Sequence, residues 1–402
     1  METRLLERNI KLYQAFQAFV EPIFWGPILI LFLNKAAKMT LPEIFFMESI
    51  VVAAQIFLQL PTGTIADLIG RKKTMFIGSL FFVADNLFFA SANCPWMAWT
   101  GNILWVIGFS LVSGADSALL FDSLRILGRE NEYKKIQGKS LYYRYALAAA
   151  SCLCTGYLAQ INLRLPVYLS LVTLTANCFI AAKFIEPLPR KKNDKCFFDI
   201  LKDSLHELVK ISKISLAVVW KNRRIKWLII FSGILGVASK LWFFTYNPYF
   251  EIVNLPLPAF GMIFCVMNII AAISSLYADK IYKKIGNISS INLTILTIGL
   301  PMVIMGIWPA MFCAFLILFQ NFARGYMRPF TEHLMHDCLE SENRATILSI
   351  QSAITSFGQA AGLFLTGLFL ARFSLLSFLI YLGALTLISG LVLASRFNRT
   401  FK

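Results

Sequence analysis

Charge is scarce in this chain: Asp, Glu, Lys and Arg make up 15% of its 402 residues, against about 25% in an ordinary soluble domain. Histidine is scarcer still, with three in all. The one His-containing cluster, His333, His336 and Asp337, reads as a solvated helix end and not as a metal site. Eight Cys include no C-x-x-C pair. Cys94, Cys152, Cys154, Cys178, Cys265 and Cys313 lie in or beside apolar segments and read as small core residues, which excludes a disulfide framework. There is no Gly-rich phosphate loop and no hydrolytic constellation, so ATP-driven work and enzyme chemistry are not expected. The start, METRLLERNIK, mixes charges of both signs without a small-residue cleavage site, so no removable signal peptide is expected. The net charge of +16 is not arranged as a basic stripe interleaved with stacking aromatics, which argues against a nucleic-acid partner.

Apolar residues are abundant instead. They form 57% of the chain, led by 36 Phe, and the mean hydropathy is +0.65. Such a chain is a membrane protein. Twelve apolar runs, from 12–34 and 44–66 to 345–370 and 373–395, each reach the length of about 20 residues that a helix needs to cross a bilayer. The fold class is therefore all-α, with twelve transmembrane helices. Of the 38 Lys and Arg, Lys35, Lys38, Arg164 and Arg372 alone fall in loops of the outer face. Arg144, Lys183, Lys240, Arg324 and Arg328 fall within spans, and the rest lie on the face that holds both termini. That asymmetry predicts cytoplasmic termini.

The longest polar segment, 186–224, divides the chain into an N-terminal half, 1–185, and a C-terminal half, 225–402. Its middle, Phe197 to Trp220, repeats apolar residues at helical spacing with Lys opposite, as a helix lying on anionic lipid would. Sliding the second half by about 212 residues brings Asp67 onto Asp279 and Trp96 onto Trp308. The halves read as two six-helix repeats.

Between the second and third runs lies GTIADLIGRKK, Gly63–Lys73, a tight polar loop. Its pattern, G-x-x-x-D-x-x-G-R-K, resembles the signature of the major facilitator superfamily of secondary transporters. The resemblance implies that Gly63, Asp67, Gly70, Arg71 and Lys72 act as a conformational latch, with Asp279 as the counterpart in the second half. Asp67 would meet a helix N-terminus or a cation, Gly70 would permit the turn, and Arg71 with Lys72 would meet the acidic lipid surface. It also implies a cavity lined by helices one, four, seven and ten, and in each of these an ionisable residue is found: Glu21, Asp116, Lys240, and Arg324 with Arg328.

Charge inside a span marks a functional candidate. Gln14, Gln17 and Glu21 recur at i, i+3 and i+7, so they share one face of the first helix, with Pro22 bending it. Glu21 is the candidate proton carrier, and an ion pair is its alternative role. Glu48 heads a second polar stripe nearer the outer surface. Asp85 is expected to hydrogen-bond a neighbouring helix. Lys240 could bind an anionic substrate, pair with Glu21 or release a proton. Gln320, Arg324 and Arg328 recur at i, i+4 and i+8 as a basic ridge, and Asp116 is expected either to meet Arg328 across the halves or to cap within its own. Phe16, Trp25, Trp242, Phe243 and Tyr246 are expected to line the cavity.

Two features depart from proton-coupled and drug-exporting members of the superfamily: Leu104 stands where an Arg precedes Gly108, and the fifth span reads LAAASCLCTGYLA without Gly-Pro-Gly-Gly. The expected function is secondary transport in the inner membrane by alternating access, powered by the proton gradient without other cofactors. Efflux of a small amphipathic or metabolite-like compound by a monomer is the first reading. Uptake of an anionic nutrient, or a non-transporting membrane sensor or scaffold, are the alternatives.

Overall fold

The structure is a computed structural model and describes residues 2–187, 202, 223–336 and 344–401. The interfacial helix expected between Phe197 and Trp220, and the His333, His336 and Asp337 cluster, lie outside the described residues or side chains. Among the described residues, thirteen α-helices follow one another: α1 Glu2–Phe19, α2 Leu29–Lys35, α3 Leu41–Ile69, α4 Arg71–Ser91, α5 Pro95–Val112, α6 Ala115–Ile126, α7 Tyr133–Ile161, α8 Leu165–Ala182, α9 Arg223–Ile252, α10 Leu257–Ile307, α11 Ile317–His336, α12 Arg344–Leu370 and α13 Leu375–Phe401. Among the described residues, eight helical segments are long and apolar enough to cross a membrane. One of these, α10, is two helices joined at Gly286, whose φ of 79° and ψ of 174° are non-helical.

Backbone chemistry explains where the helices depart from twelve uninterrupted spans. The run 12–34 is not one helix: α1 stops at Phe19, residues 20–28 are irregular, and α2 resumes at Leu29. Pro22 has no N–H to donate and disfavours a helical conformation for Glu21 before it, and the Gly26–Pro27 pair repeats the obstruction five residues on. Glu21 consequently lies beyond the helix and does not continue the face of Gln14 and Gln17. The run 96–120 is also divided, because Gly114 takes a φ of 92° between α5 and α6. Irregular backbone at membrane depth is tolerated where protein buries it and satisfies its polar groups. In the first break the Trp25 amide donates to the Pro22 carbonyl at 3.3 Å, Ile28 to Trp25 at 2.9 Å, and the Thr155 hydroxyl of α7 donates to the Phe24 carbonyl at 3.2 Å.

The helices gather into two compact units, one of Met1–Met39 with Ala54–Leu208, the other of Thr40–Ala53 with Val209–Lys402. In the first, α4 packs on α5 and α8, and α1 on α6, α7 and α8. Its core includes Tyr13, Phe16, Phe82, Leu119, Leu124 and Phe184. In the second, α10 packs on α11 and α13, and α9 on α12 and α13. The first thirteen or so residues of α3 belong with this second unit, where Phe45 meets Phe244 and Phe46 meets Phe364.

Candidate functional site

The first unit gathers ionisable groups at the break. Released from the helix, Glu21 forms an ion pair with Arg144 of α7. Arg144 also acts electrostatically on Asp116, as the weakest of the influences on that carboxylate. Asp116, at the start of α6, accepts from the Ser117 amide at 2.6 Å and the Gly114 amide at 3.2 Å. It thus caps the turn within its own half, the second of the two roles expected for it. Its other oxygen accepts from the Gln17 amide. Gln17 also hydrogen-bonds Tyr13, and Ser117 hydrogen-bonds Tyr133. A polar chain thereby runs through Tyr13, Gln17, Asp116, Ser117 and Tyr133, with the Glu21–Arg144 pair beside it. Arg144, which falls within a span, is the partner of Glu21 that was not named among the candidates. The signal was present, since a single Arg in the fifth span requires an acid.

The second unit holds its own cluster. Glu48 is buried, 7% exposed, and its carboxylate acts electrostatically on Lys240 of α9. The Lys240 ammonium also lies 4.9 Å from the Phe244 ring. On α11, Gln320 accepts from the Tyr246 hydroxyl and its amide donates to the Ser239 carbonyl at 3.4 Å. Arg324 donates to the Asn268 side chain at 3.1 Å. Arg328 stands on the same helix, with its side chain outside the described residues. Around these groups Ser239 Oγ, Trp242 Nε1 and Asn321 Oδ1 are buried without a hydrogen-bond partner among the described residues. Unsatisfied buried polar atoms are rare and call for an explanation.

Two expectations are corrected here. Phe16, Trp242 and Tyr246 are fully buried and Trp25 is 8% exposed, so these rings are packing, not an open lining. Phe16 lies edge-on to Phe184, and Trp25 is edge-on to Phe89 with centroids 4.3 Å apart. Asp85, 1% exposed, does not show the expected bond to a neighbour: its Oδ1 has no partner among the described residues.

The Gly63–Lys73 corner is more densely bonded than the sequence shows. Gly63 lies within α3, and Asp67 stands 3.7 Å from Arg71. Gly70 takes a φ of 97° and a ψ of 142°, a region essentially reserved for glycine. Arg71 does not point to lipid: it pairs with Asp122 of α6 and donates to the Ala118 carbonyl at 2.6 Å. The exposed start of α4, where four amides lack helical partners, is capped from a distance. The Glu186 carboxylate accepts the Arg71 amide at 3.0 Å and the Lys72 amide at 2.9 Å, where the helix dipole favours negative charge. Asn9 of α1 exchanges two hydrogen bonds with the Ile185 backbone, at 2.8 and 3.0 Å. Asp279, by contrast, meets Lys283 of its own helix at 2.7 Å.

No family model matches the chain. An uncharacterized MFS-type transporter of Bacillus subtilis (strain 168), YxaM, is 21% identical over 388 residues, 94% of this chain and 92% of the relative. Among solved structures, the nucleoside transporter NupG (D323A mutant) aligns with a TM-score of 0.76 at 14% identity over 99% of this chain and 100% of its own. A POT family transporter in complex with 5-aminolevulinic acid gives 0.72 at 13% identity, covering 100% and 97%. A D-xylose-proton symporter gives 0.65 at 12% identity, covering 97% and 96%. The chain therefore has the major facilitator fold, an all-α membrane architecture. In fold, and in its sequence relative, the chain resembles the secondary transporters of that superfamily.

Proposed function

We propose that the chain moves a small polar solute by alternating access, driven by protons that bind at Glu21. The observation that carries this reading is the Glu21–Arg144 ion pair at the helix break, with Asp116 within electrostatic reach of the same guanidinium. A carboxylate at a helix break, paired with one cation, can exchange that partner for a proton. Protonating Glu21 frees Arg144 to bind Asp116 more strongly or to meet an anionic group on the solute. The break supplies the freedom to move, because residues 20–28 are not tied into a helical ladder.

The solute is expected to be rich in hydrogen-bonding groups. Ser239 Oγ and Asn321 Oδ1 have spare hydrogen-bonding capacity, while Arg324 and Lys240 supply positive charge. This pattern supports the anionic or polar nutrient over the loosely held amphipathic compound, whose case rested on an aromatic lining that proves to be packed core. The structural neighbours include nucleoside and peptide transporters and a D-xylose-proton symporter, which supports proton-coupled uptake of a solute of that general polarity. Export is the opposite direction over the same machinery. Both termini are placed in the cytoplasm, in a cell's inner membrane, on the Lys and Arg asymmetry.

The test begins with a thermal-shift screen of purified protein against nucleosides, short peptides, sugars and small carboxylates. With the stabilising solute in hand, Glu21→Gln in proteoliposomes should abolish uphill accumulation driven by a pH gradient. It should retain exchange of labelled for unlabelled solute, which needs no net proton movement. Accumulation at the parental rate and with the parental pH dependence would overturn the proton role, and the sign of the gradient that drives accumulation gives the direction.

A further inference from the structure

The second unit carries a groove whose lining shares no residue with the polar cluster described above. It lies along the first segment of α10 where that segment approaches Gly286, has a volume of about 450 Å³, and is walled by Ile270, Ile273, Tyr277 and Ile281 with Phe322 of α11. These α10 residues recur at intervals of three and four, so they form one continuous stripe of the helix. The stripe is open: Ile273 is 52% exposed and Tyr277 is 46% exposed. A close helix crossing creates the recess. At Gly325 of α11 any Cβ would overlap the Ala271 carbonyl and the Ser274 hydroxyl, so the two backbones touch there, and Phe322, one turn away, forms the far wall.

At one end of this apolar stripe the same face presents Lys280 and Lys284, both among the lining residues. Their neighbour Lys283 is neutralised by Asp279. Among the described residues neither Lys280 nor Lys284 forms an ion pair, and the Lys280 ammonium lies 5.3 Å from the Tyr277 ring. The two lysines fall just past the end of the eighth apolar run, 257–278, where a helix leaves the hydrocarbon for the headgroup layer. An apolar trough within the membrane, ending in two lysines that form no ion pair among the described residues, is complementary to one kind of molecule.

We propose that this groove is a binding site for an anionic phospholipid of the surrounding bilayer. One acyl chain lies against Ile270, Ile273, Tyr277 and Phe322, and the phosphate is held by Lys280 and Lys284, whose aliphatic stems continue the apolar wall. The bound lipid supplies the second loop with the counter-charge that its own residues do not provide.

Native mass spectrometry of the full-length protein, titrated with phosphatidylglycerol or phosphatidylethanolamine, tests this. Phosphatidylglycerol should be retained preferentially. Lys280→Gln with Lys284→Gln should weaken its binding about thirty-fold, from two basic residues at about 1 kcal/mol each. Lys283→Gln, which touches only Asp279, should leave binding within about two-fold of the parent. Ile273→Trp keeps both charges but fills the trough, and should also lose the lipid. Glycerol 3-phosphate, a headgroup without chains, should not compete. Each variant is compared at the parental gel-filtration profile and melting temperature, so a folding defect is separated from a binding defect. Equal retention of the two lipids, unchanged binding in the double variant or in Ile273→Trp, or competition by glycerol 3-phosphate, would each overturn the assignment.

Discussion

The loop at Gly70 and the loop at Gly286 occupy corresponding places in the two halves, yet they are built to different standards of rigidity. In the first, the acid and the glycine are three residues apart, and the chain turns directly into α4 with Arg71 aimed inward. In the second, Asp279 and Gly286 are seven residues apart, so the helix runs on for another turn before it bends. That extra turn carries the basic residues out onto an exposed face. Arg71 and Asp122 have side chains 20% and 8% exposed, whereas Lys283 and Asp279 are 69% and 62% exposed. A Cβ at Gly70 would lie 2.8 Å from the Glu186 carboxylate, and one at Gly286 would meet nothing within 4 Å. An acid, a basic pair and a glycine can thus make a tied corner in one half and a bare hinge in the other, according to the length of one helix.

Four substitutions probe that contrast, and the largest effect belongs to Arg71. Arg71→Ala leaves Asp122 buried without its cation, which costs about 3–5 kcal/mol. The melting temperature of purified protein should fall steeply, and Asp122→Asn in the same chain should recover much of the loss. A parental melting temperature in Arg71→Ala would show that the first corner is no more tied than the second. Gly70→Ala comes next. It forces a side chain into a conformation costing about 1–3 kcal/mol and presses on Glu186, which should disturb the cap on α4 as well. Amide hydrogen exchange in the first turn of α4 is the readout, and protection there should drop together with stability.

Gly286→Ala sharpens the comparison because the backbone penalty is of the same kind while the neighbours are absent. A loss near the lower end of the same range, about 1 kcal/mol, and no change in exchange beyond the hinge itself are expected. If Gly286→Ala proved as damaging as Gly70→Ala, strain alone would account for both and the Glu186 contact would carry nothing.

Much of this was legible in the sequence. The loop GTIADLIGRKK announced a turn at Gly70 by composition alone, and the spacing of Asp279 from the later glycine already showed the stretched second copy. The pairing of Asp116 with its own turn was one of two roles open to it. The break after Phe19 was legible only as a bend, because a single proline is tolerated in a membrane helix. The joint effect of Pro22 and Gly26–Pro27 emerges when nine consecutive residues leave the helix. Glu186 and Asp122 were missed for a different reason. Each meets Arg71 across a long stretch of chain, and helical periodicity reports which residues share a face but not which face they meet. The aromatic residues erred in the opposite sense: Trp242 and Tyr246 look like a lining when the alternative, a membrane protein's own tightly packed core, has the same composition.

The smallest effect is expected at Asp279, and it bears most directly on whether the latch is duplicated. Asp279 is the residue that the 212-residue offset sets against Asp67, and a symmetric pair of latches would make it costly to neutralise. Its ion pair with Lys283 joins consecutive turns of one helix, with both side chains mostly in solvent. Such pairs contribute about 0.3–0.5 kcal/mol and are screened by salt. Asp279→Asn should therefore leave the melting temperature within about a degree of the parent, and raising the salt concentration should erase the remaining difference. The substitution also frees Lys283, adding a third unpaired ammonium beside Lys280 and Lys284. Retention of anionic lipid should hold or rise slightly as a result, while Arg71→Ala should leave it unchanged. A loss of stability in Asp279→Asn approaching that of Arg71→Ala would mean that the second corner is tied by contacts as strong as the first, and the asymmetry between the two loops would fall with it.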